Sequence, residues 1–340
     1  IDTLEQLAQI KRVVVEVAQD CVVLNADDIH CLQMAEFCQA KQICYVTIDS
    51  GHGLVREHIR QGGMAIVLEK GINGDMITIY DKGAHIPLLW THLIPATIEG
   101  KAMHNVQNAM FAAAMAYSFD TSLENIRQGL RIFNTSFYQA PGRLNIFDEH
   151  PFKVILDYAH NPAAIKTITD LAGRLDVKGK RRIVIAMPGD RRDEDIVEAA
   201  KIIASTFDSF VCKADDDRRG RTNDEVPMML KQTLESNGVD ASNIQVIPSE
   251  VDAVEAGLAS CAPGDLLIIL GDNITRCWKQ IVHFNHSSEH PVSDESQPSR
   301  DFPEKLFQPI ENKFELQEGS RIVQDERGVH IVVDRDEESD

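Results

Sequence analysis

Between residues 150 and 272 the chain repeats one unit, a short run of apolar residues followed by a segment with helical spacing. The runs sit in VILDYAHNPAAI, RRIVIAMP, DSFVCKA, IQVIPS and DLLIILGD. Short apolar strands separated by helices form a parallel, doubly wound sheet, because helices on both sides are needed to cover strands that are apolar on both faces. This alternation constrains the fold more than any other feature, and it also locates function. Ligands of open α/β sheets bind beyond the carboxyl ends of the strands, where helix N-termini present free backbone N–H groups.

Four of those strand ends carry polar clusters. The first run ends in Asp157, Tyr158, His160 and Asn161, the second in Gly189, Asp190, Arg191 and Arg192. The third ends in Asp215, Asp216, Asp217, Arg218, Arg219 and Arg221, and the last in Gly271, Asp272 and Asn273. Any one of these clusters is explained by turn chemistry or a helix cap. Four converging on one rim mark a binding edge.

The first part of the chain also alternates: a helix to about Ala18, the strand CVVLNADD, a helix over IHCLQMAEFCQA, the strand QICYVTID, and a helix over LVREHIRQ. MAIVLE, MITIY and HIPLLW, divided by Gly- and Asp-rich turns, suit a small antiparallel sheet. Two helices follow, HNVQNAMFAAAMAYS and SLENIRQGLRIF, the second with Ser122 as N-cap. Pro141 and Gly142 punctuate a boundary, and RLNIFDEHPFKVILDY then predicts a hairpin. After about His286 the composition is that of a linker, and only RGVHIVV has the pattern of a strand.

The net charge of −19 argues against nucleic acid, whose phosphates require clustered Lys and Arg. From Glu289 to Asp340 there are 15 acidic and 6 basic residues, so nearly half of the excess lies in the last sixth of the chain. Such a surface can concentrate a cationic substrate such as arginine; the plain alternative is a solvated, solubilising tail. With no run of 18 apolar residues and no basic segment leading into an apolar one, the expectation is a soluble chain without membrane contact. The seven scattered cysteines, none in a CxxC pair, point to a reducing cytoplasm and away from disulfides or zinc. There is no GxGxxG after a strand, no GxxxxGK[ST] phosphate loop and no GxSxG elbow, so a nicotinamide oxidoreductase ranks last. The first residue is isoleucine and helical spacing begins at once, which suggests a piece of something longer.

In order along the chain come a lysine on an early helix, LNADD, HNVQNAMFAAA, PGRLN, DYAHNPAA and PGDRRDED. This ordered set resembles the Mur ligase family, which includes folylpolyglutamate synthetase, over residues 1 to about 285. The resemblance implies an α/β protein, a partial Mur ligase central domain followed by a Rossmann-like, mostly parallel doubly wound C-terminal domain. Residues 1–139 are then the latter part of the central ATPase domain without its phosphate loop. Residues 140–286 are the C-terminal domain, and 287–340 an acidic, largely disordered tail.

The resemblance further implies ATP and Mg2+ as cofactors. His104, Asn105 and Asn108 match the HNxxN segment whose asparagine meets the adenine, and Arg143 matches the arginine at the domain junction that reaches the ATP phosphates. Asp157 matches the aspartate that contacts the nucleotide, with Tyr158 and His160 beside it. Lys11 lies where relatives carry a carbamoylated lysine that holds magnesium. Taken by themselves, Lys11 and Arg12 are an exposed basic pair, His104 and Asn105 a helix start, and His160 a structural histidine. The segment 215–221 sits where some relatives recognise the amino substrate, although their Asp-Asn-Pro-Arg motif is not reproduced. An aspartate such as Asp216 suits a guanidinium, and Arg218 or Arg219 a carboxylate. Arg191 and Asp272 complete the substrate set.

SFYQAPGRLNIFDEHPFKVILDYAHNPAAI, CKADDDRRGR and GDNITRCWKQI tighten the resemblance to one branch of the family. In it, an ATP-dependent amide ligase joins arginine to the β-carboxylate of aspartates along a growing polyaspartate chain through an acyl phosphate. The remaining parts, an ATP-grasp module and the phosphate-loop region, would precede residue 1, so this piece alone is expected to be inactive. A homo-oligomer is the family's precedent. Two alternatives stay open: a module of a synthetase that polymerises β-aspartyl-arginine dipeptides, and a non-catalytic domain for polymer binding or oligomerisation.

Overall fold

The computed structural model describes residues 3–285, 316 and 319–333. They fall into two compact units, one drawn from Ile1–Ile132 and Ser293–Asp340, the other from Phe133–Val292. The boundary lies before Phe133, ahead of the expected position at 139/140. Residues 133–140 are tied to the second unit: Asn145 Nδ2 donates to the carbonyls of Thr135 (2.9 Å) and Ala140 (2.8 Å), and Phe137 stacks on Trp278 at 4.9 Å. Among the described residues no helix is long and apolar enough to cross a membrane.

The first unit is built on one five-stranded sheet, in the order β1 (Cys21–Asn25), β2 (Gln42–Thr47), β3 (Met64–Gly71), β4 (Gly74–Asp81), β5 (Ala84–Trp90). β1 to β3 run parallel, and β3 to β5 antiparallel. The separate antiparallel sheet expected from MAIVLE onwards is therefore a continuation of the parallel one. Met64 to Leu68 are all buried, so β3 can be an inner strand, and side-chain alternation carries no information about which neighbour it pairs with. α5 (Met103–Ser118) and α6 (Leu123–Ile132) share a core with Ile66, Ile77 and Ile79. Ser122 caps α6, its Oγ accepting from Asn125 N–H at 3.3 Å.

The single helix expected to Ala18 breaks at Arg12 into α1 (Leu4–Lys11) and α2 (Val13–Val17). The Arg12 guanidinium covers the Phe37 ring at 3.6 Å and pairs with Glu16 at 2.6 Å. IHCLQMAEFCQA gives only a short helix, α3 (Ile29–Gln33), and a 3-10 turn, Met34–Phe37. α4 spans Gly53–Arg60.

Part of the expected disordered tail is a folded element. β12 (Ser320–Asp325) and β13 (Gly328–Val333) form an antiparallel hairpin, and β13 packs on α3, the 3-10 turn and α4. β13 coincides with RGVHIVV; β12 was not foreseen, because its side chains are almost all exposed and leave no alternation to read. Val329 and Ile331, 1% and 2% exposed, join the core of Leu32, Leu54 and Val55. The remainder of the tail lies outside the described residues.

The hairpin is held by a buried imidazole. Val329 N–H donates to His58 Nδ1 (3.1 Å), so the neutral ring carries its proton on Nε2, which faces the Ile43 carbonyl at 3.1 Å. Tyr45 Oη donates to the Val329 carbonyl, also at 3.1 Å. Gly328 has φ +117°, and a Cβ there would stand 2.2 Å from His58 Cε1.

The second unit has the sheet order β10-β9-β8-β11-β7-β6. β7 (Lys153–Asp157), β8 (Arg181–Ile185), β9 (Ser209–Cys212), β10 (Ile244–Val246) and β11 (Leu266–Leu270) are parallel, and β6 (Asn145–Phe147) is an antiparallel edge strand. α7 (Pro162–Arg174), α8 (Asp193–Ile203) and α9 (Glu225–Ser236) pack in a row. α10 (Glu250–Ala259) and α11 (Ile274–His283) share a core with Val154, Leu156, Leu267 and Ile269. The expected α/β, doubly wound architecture is present.

Gly328→Ala should release the hairpin while the rest of the first unit stays folded. The check is hydrogen exchange at Val329, expected to rise at least tenfold. Acid should act in the same direction. Burial lowers the His58 pKa below its ordinary 6.5, an effect to which His330 adds. A depressed folded pKa means that the latch is complete above pH 6.5 and weakens as pH falls towards the lowered value.

Candidate functional site

The carboxyl ends of β7, β8, β9 and β11 lie on one edge of the second sheet because the strands are parallel. At the end of β7, Asp157 is 7% exposed and accepts from Leu144 N–H at 2.9 Å. Burial pushes its carboxyl above the ordinary carboxylate range, against the Leu144 hydrogen bond and the Arg143 charge. This carboxylate pins the PGRLN turn. Gly142 N–H donates to Asn145 Oδ1 (2.7 Å), and Tyr158 N–H to the Gly142 carbonyl (3.0 Å). Gly142 has φ +72°, and a Cβ there would meet Ile274 Cγ1 at 2.9 Å, so only glycine fits. The turn presents Arg143 to solvent.

Asn161 caps α7, accepting from Ala164 N–H at 2.9 Å with Pro162 at the first helical position. His160 Nδ1 lies 2.9 Å from the Tyr158 carbonyl, and the two rings are 5.1 Å apart. These contacts fix the shape of the loop.

The ends of β9 and β11 meet over a buried charge network. Glu250, the first residue of α10, accepts from Asp272 N–H (2.7 Å), from Asn273 N–H (3.2 Å) and from the Arg276 guanidinium. Lys213, fully buried, stands 3.1 Å from Glu250 Oε1 and 3.7 Å from Asp215, at ion-pair distance without a directed hydrogen bond. Arg276 also pairs with Asp216 Oδ2 at 2.7 Å, and Asp216 N–H donates to Asp272 Oδ2 at 3.0 Å. Burial alone would raise the Glu250 pKa; Lys213, the Asp272 N–H and Arg276 reverse this and hold it at about 2. Asp215, with Lys213 more distant, is pushed up by burial.

The β8 and β9 loops are joined by Arg221, which donates to the Gly189 (2.8 Å) and Arg191 (2.9 Å) carbonyls and pairs with Asp193 and Glu225. Arg219 pairs with Asp190 at 2.8 Å.

The structure thus gathers Asp157, Tyr158, His160, Arg191, Asp216, Arg218, Arg219 and Asp272 on one rim, but sorts them. Asp216, Arg219 and Asp272 are engaged within the protein. Among the described residues, Arg143, Arg191 and Arg218 make no side-chain hydrogen bond or ion pair, and Arg191 Nε is buried without a partner. These three guanidinium groups suit anionic groups, while the rim carboxylates Asp217 and Asp272 accept backbone N–H groups of Arg219 and Asp216.

Lys213, Glu250, Arg276 and Asn145 were not singled out from the sequence. Lys213 could have been, as a charged residue directly after the apolar run FVC. Glu250 and Arg276 look like ordinary residues in the first turns of their helices.

In the first unit the ends of β1 and β2 converge in LNADD. Asp27 accepts from the Thr47 hydroxyl and from Ile48 N–H (2.9 Å), and Gln107 Nε2 lies 3.4 Å from both Asn25 and Asp27. Nearby in α5, Asn105 Nδ2 donates to the Ala96 carbonyl (2.7 Å) and its Oδ1 accepts from Asn108 (3.2 Å). Burial lowers the His104 pKa. Lys11 is exposed in the last turn of α1. Among the described residues no group of three or more His, Cys, Asp or Glu side chains could hold a metal ion.

Residues 142–273, which contain the rim residues from Arg143 to Asp272, match the family described as Mur ligase, glutamate ligase domain. Among the relatives the chain matches are cyanophycin synthetases. It is 35% identical over 85% of its length to that of Geminocystis herdmanii (strain PCC 6308), covering 32% of that protein. To that of Nostoc sp. (strain PCC 7120 / SAG 25.82 / UTEX 2576) it is 37% identical over 83% of its length, covering 31%. The chain thus spans about a third of the length of these curated relatives. Among solved structures, E. coli FolC in complex with DHPP and ADP shares the fold, with a TM-score of 0.55 and 20% identity over 82% of this chain and 56% of that one.

Asn145→Ala would orphan the Gly142 N–H and two carbonyls inside the second unit, and should destabilise that unit by at least ~2 kcal/mol in urea titration. Acid should act through Glu250. Its folded pKa is depressed, so its contribution is complete above the ordinary 4.5 and disappears as pH falls towards about 2. Unfolding followed between these values should show a loss that the charge-free pair Lys213→Met/Glu250→Gln lacks.

Proposed function

We propose that this chain is part of an ATP-dependent amide ligase that joins the α-amine of arginine to the β-carboxylate of aspartates on a polyaspartate backbone. The rim of uncommitted guanidinium groups supports this most directly, within a stretch that matches the glutamate ligase domain family. The similarity to cyanophycin synthetases supports the choice of substrates.

ATP, when bound, supplies the phosphoryl group that converts a carboxylate into an acyl phosphate. Arg143 stands ready for that chemistry: an exposed, permanently charged fork on a turn fixed by Asp157, Asn145 and Gly142, suited to developing negative charge on a phosphoryl oxygen. His104, Asn105 and Asn108 form the adenine-facing set at the start of α5. The Asn108 hydrogen bond to Asn105, and that of Asn105 to the Ala96 carbonyl, hold that helix start in shape before a nucleotide arrives. Lys11, if carbamoylated, would offer an oxygen to Mg2+. The described residues do not assemble a metal centre around it, and no step is assigned to the ion.

Arg218 and Arg191 suit the carboxylate of the amino substrate. Asp216 offers its second oxygen, Oδ1, to the incoming guanidinium while Oδ2 stays with Arg276. Arginine's amine, once neutral, attacks the acyl carbon, the amide C–N bond forms as the acyl C–O bond to phosphate breaks, and the departing phosphate takes up the amine's proton. No general base is required of the rim, since orientation and charge neutralisation carry the step.

In the full-length protein, phosphate release from ATP should require both polyaspartate and arginine. Arg143→Ala should lower kcat/KM by about 10²-fold or more, the scale of losing one charge-stabilising group, with the KM for arginine little changed. Turnover of β-aspartyl-arginine dipeptide without free arginine, or undiminished activity of Arg143→Ala, would overturn the proposal.

A further inference from the structure

We infer that Glu250 is a positioning residue that makes the β9 and β11 loops one unit, and so sets the geometry of the amino-substrate side of the rim. Resting on the ligase proposal for its substrate, the inference adds a residue that touches no ligand itself. Glu250 is 2% exposed, yet its carboxylate reaches both loops. It takes the Asp272 and Asn273 N–H groups of the β11 loop directly, at 2.7 and 3.2 Å. It takes the β9 loop through Arg276, whose guanidinium it shares with Asp216. The Asp216 N–H on Asp272 Oδ2 closes the ring. Asp216 and Asp272, in the loops after different strands, are thereby referenced to one buried carboxylate.

Lys213 explains why that carboxylate can be buried and charged. Its ammonium is fully buried, 3.1 Å from Glu250 Oε1, and is held by charge without a directed hydrogen bond. A buried ion needs a close counter-ion to remain ionised. Lys213 supplies it and leaves the Glu250 oxygens available to both loops. The turn that carries Arg143 hangs on a different carboxylate, Asp157. Disturbing Glu250 should therefore affect the amino substrate and spare the nucleotide.

The variants are Glu250→Gln and, to avoid stranding a buried cation, Lys213→Met/Glu250→Gln. Hydrogen exchange at the Asp272, Asn273 and Asp216 amides is expected to accelerate at least tenfold, together, in both. Acceleration confined to the β11 loop, or none, overturns the coupling, whatever the substrate is. In the full-length protein the KM for arginine should rise at least tenfold while the KM for ATP stays within twofold. The double variant should recover thermal stability without recovering the KM, which a merely structural role would not produce. Equal rises in both KM values overturn the positioning role. If exchange accelerates as expected and the wild-type protein does not use arginine, the ligase proposal fails and the coupling stands.

Discussion

A parallel strand covered on both faces has only its ends free for chemistry, and the second unit is organised by that restriction. All five residues of β11 are buried, and so are Val154 to Asp157 of β7. The polar clusters at the sheet's carboxyl edge lie at or just beyond the ends of β7, β8, β9 and β11. Those loops must also satisfy the open N–H groups of the helices that follow. Asn161 and Asn273 do so as caps of α7 and α11, as Ser249 does for α10 after β10. Structural hydrogen bonding and candidate ligand contacts therefore compete for the same few residues.

Two carboxylates on this rim illustrate how the competition resolves. Asp157 and Glu250 are both buried, but their acidities move in opposite directions. The cation beside Asp157 is Arg143, which faces water, so desolvation prevails and the carboxyl becomes less acidic. Glu250 has Lys213 buried with it and Arg276 against it, and the paired charges outweigh desolvation. The contrast separates a group that pins a turn from a group that ties two loops together. Three rim carboxylates, Glu250, Asp190 and Asp216, are paired with cations, whereas Arg143, Arg191 and Arg218 carry no such partner among the described residues.

Much of the second unit was legible because its signals are local. Apolar runs gave the strands and helical spacing gave the helices. In the first unit β3 misled, since a strand buried on both faces reads the same beside a parallel or an antiparallel neighbour. Spacing alone would also continue the first helix past Arg12, where the structure divides it into α1 and α2. The sorting of the candidate site was also hidden. Asp216 reads as a free carboxylate until Arg276, sixty positions on, is found against it.

The sequence alone determined the alternation of strands and helices, the edge at which chemistry is possible, and a strand near the chain's end. These follow from side-chain period and cap chemistry, which act over a few residues. Tertiary structure decided where that last strand docks, with Val329 placed on Tyr45 and His58, and which rim charges remain uncommitted. Both outcomes depend on bringing distant residues within 3 or 4 Å in a dry interior. There, a single hydrogen bond or counter-ion determines whether a polar group is tolerated, and no local pattern records which partner will supply it.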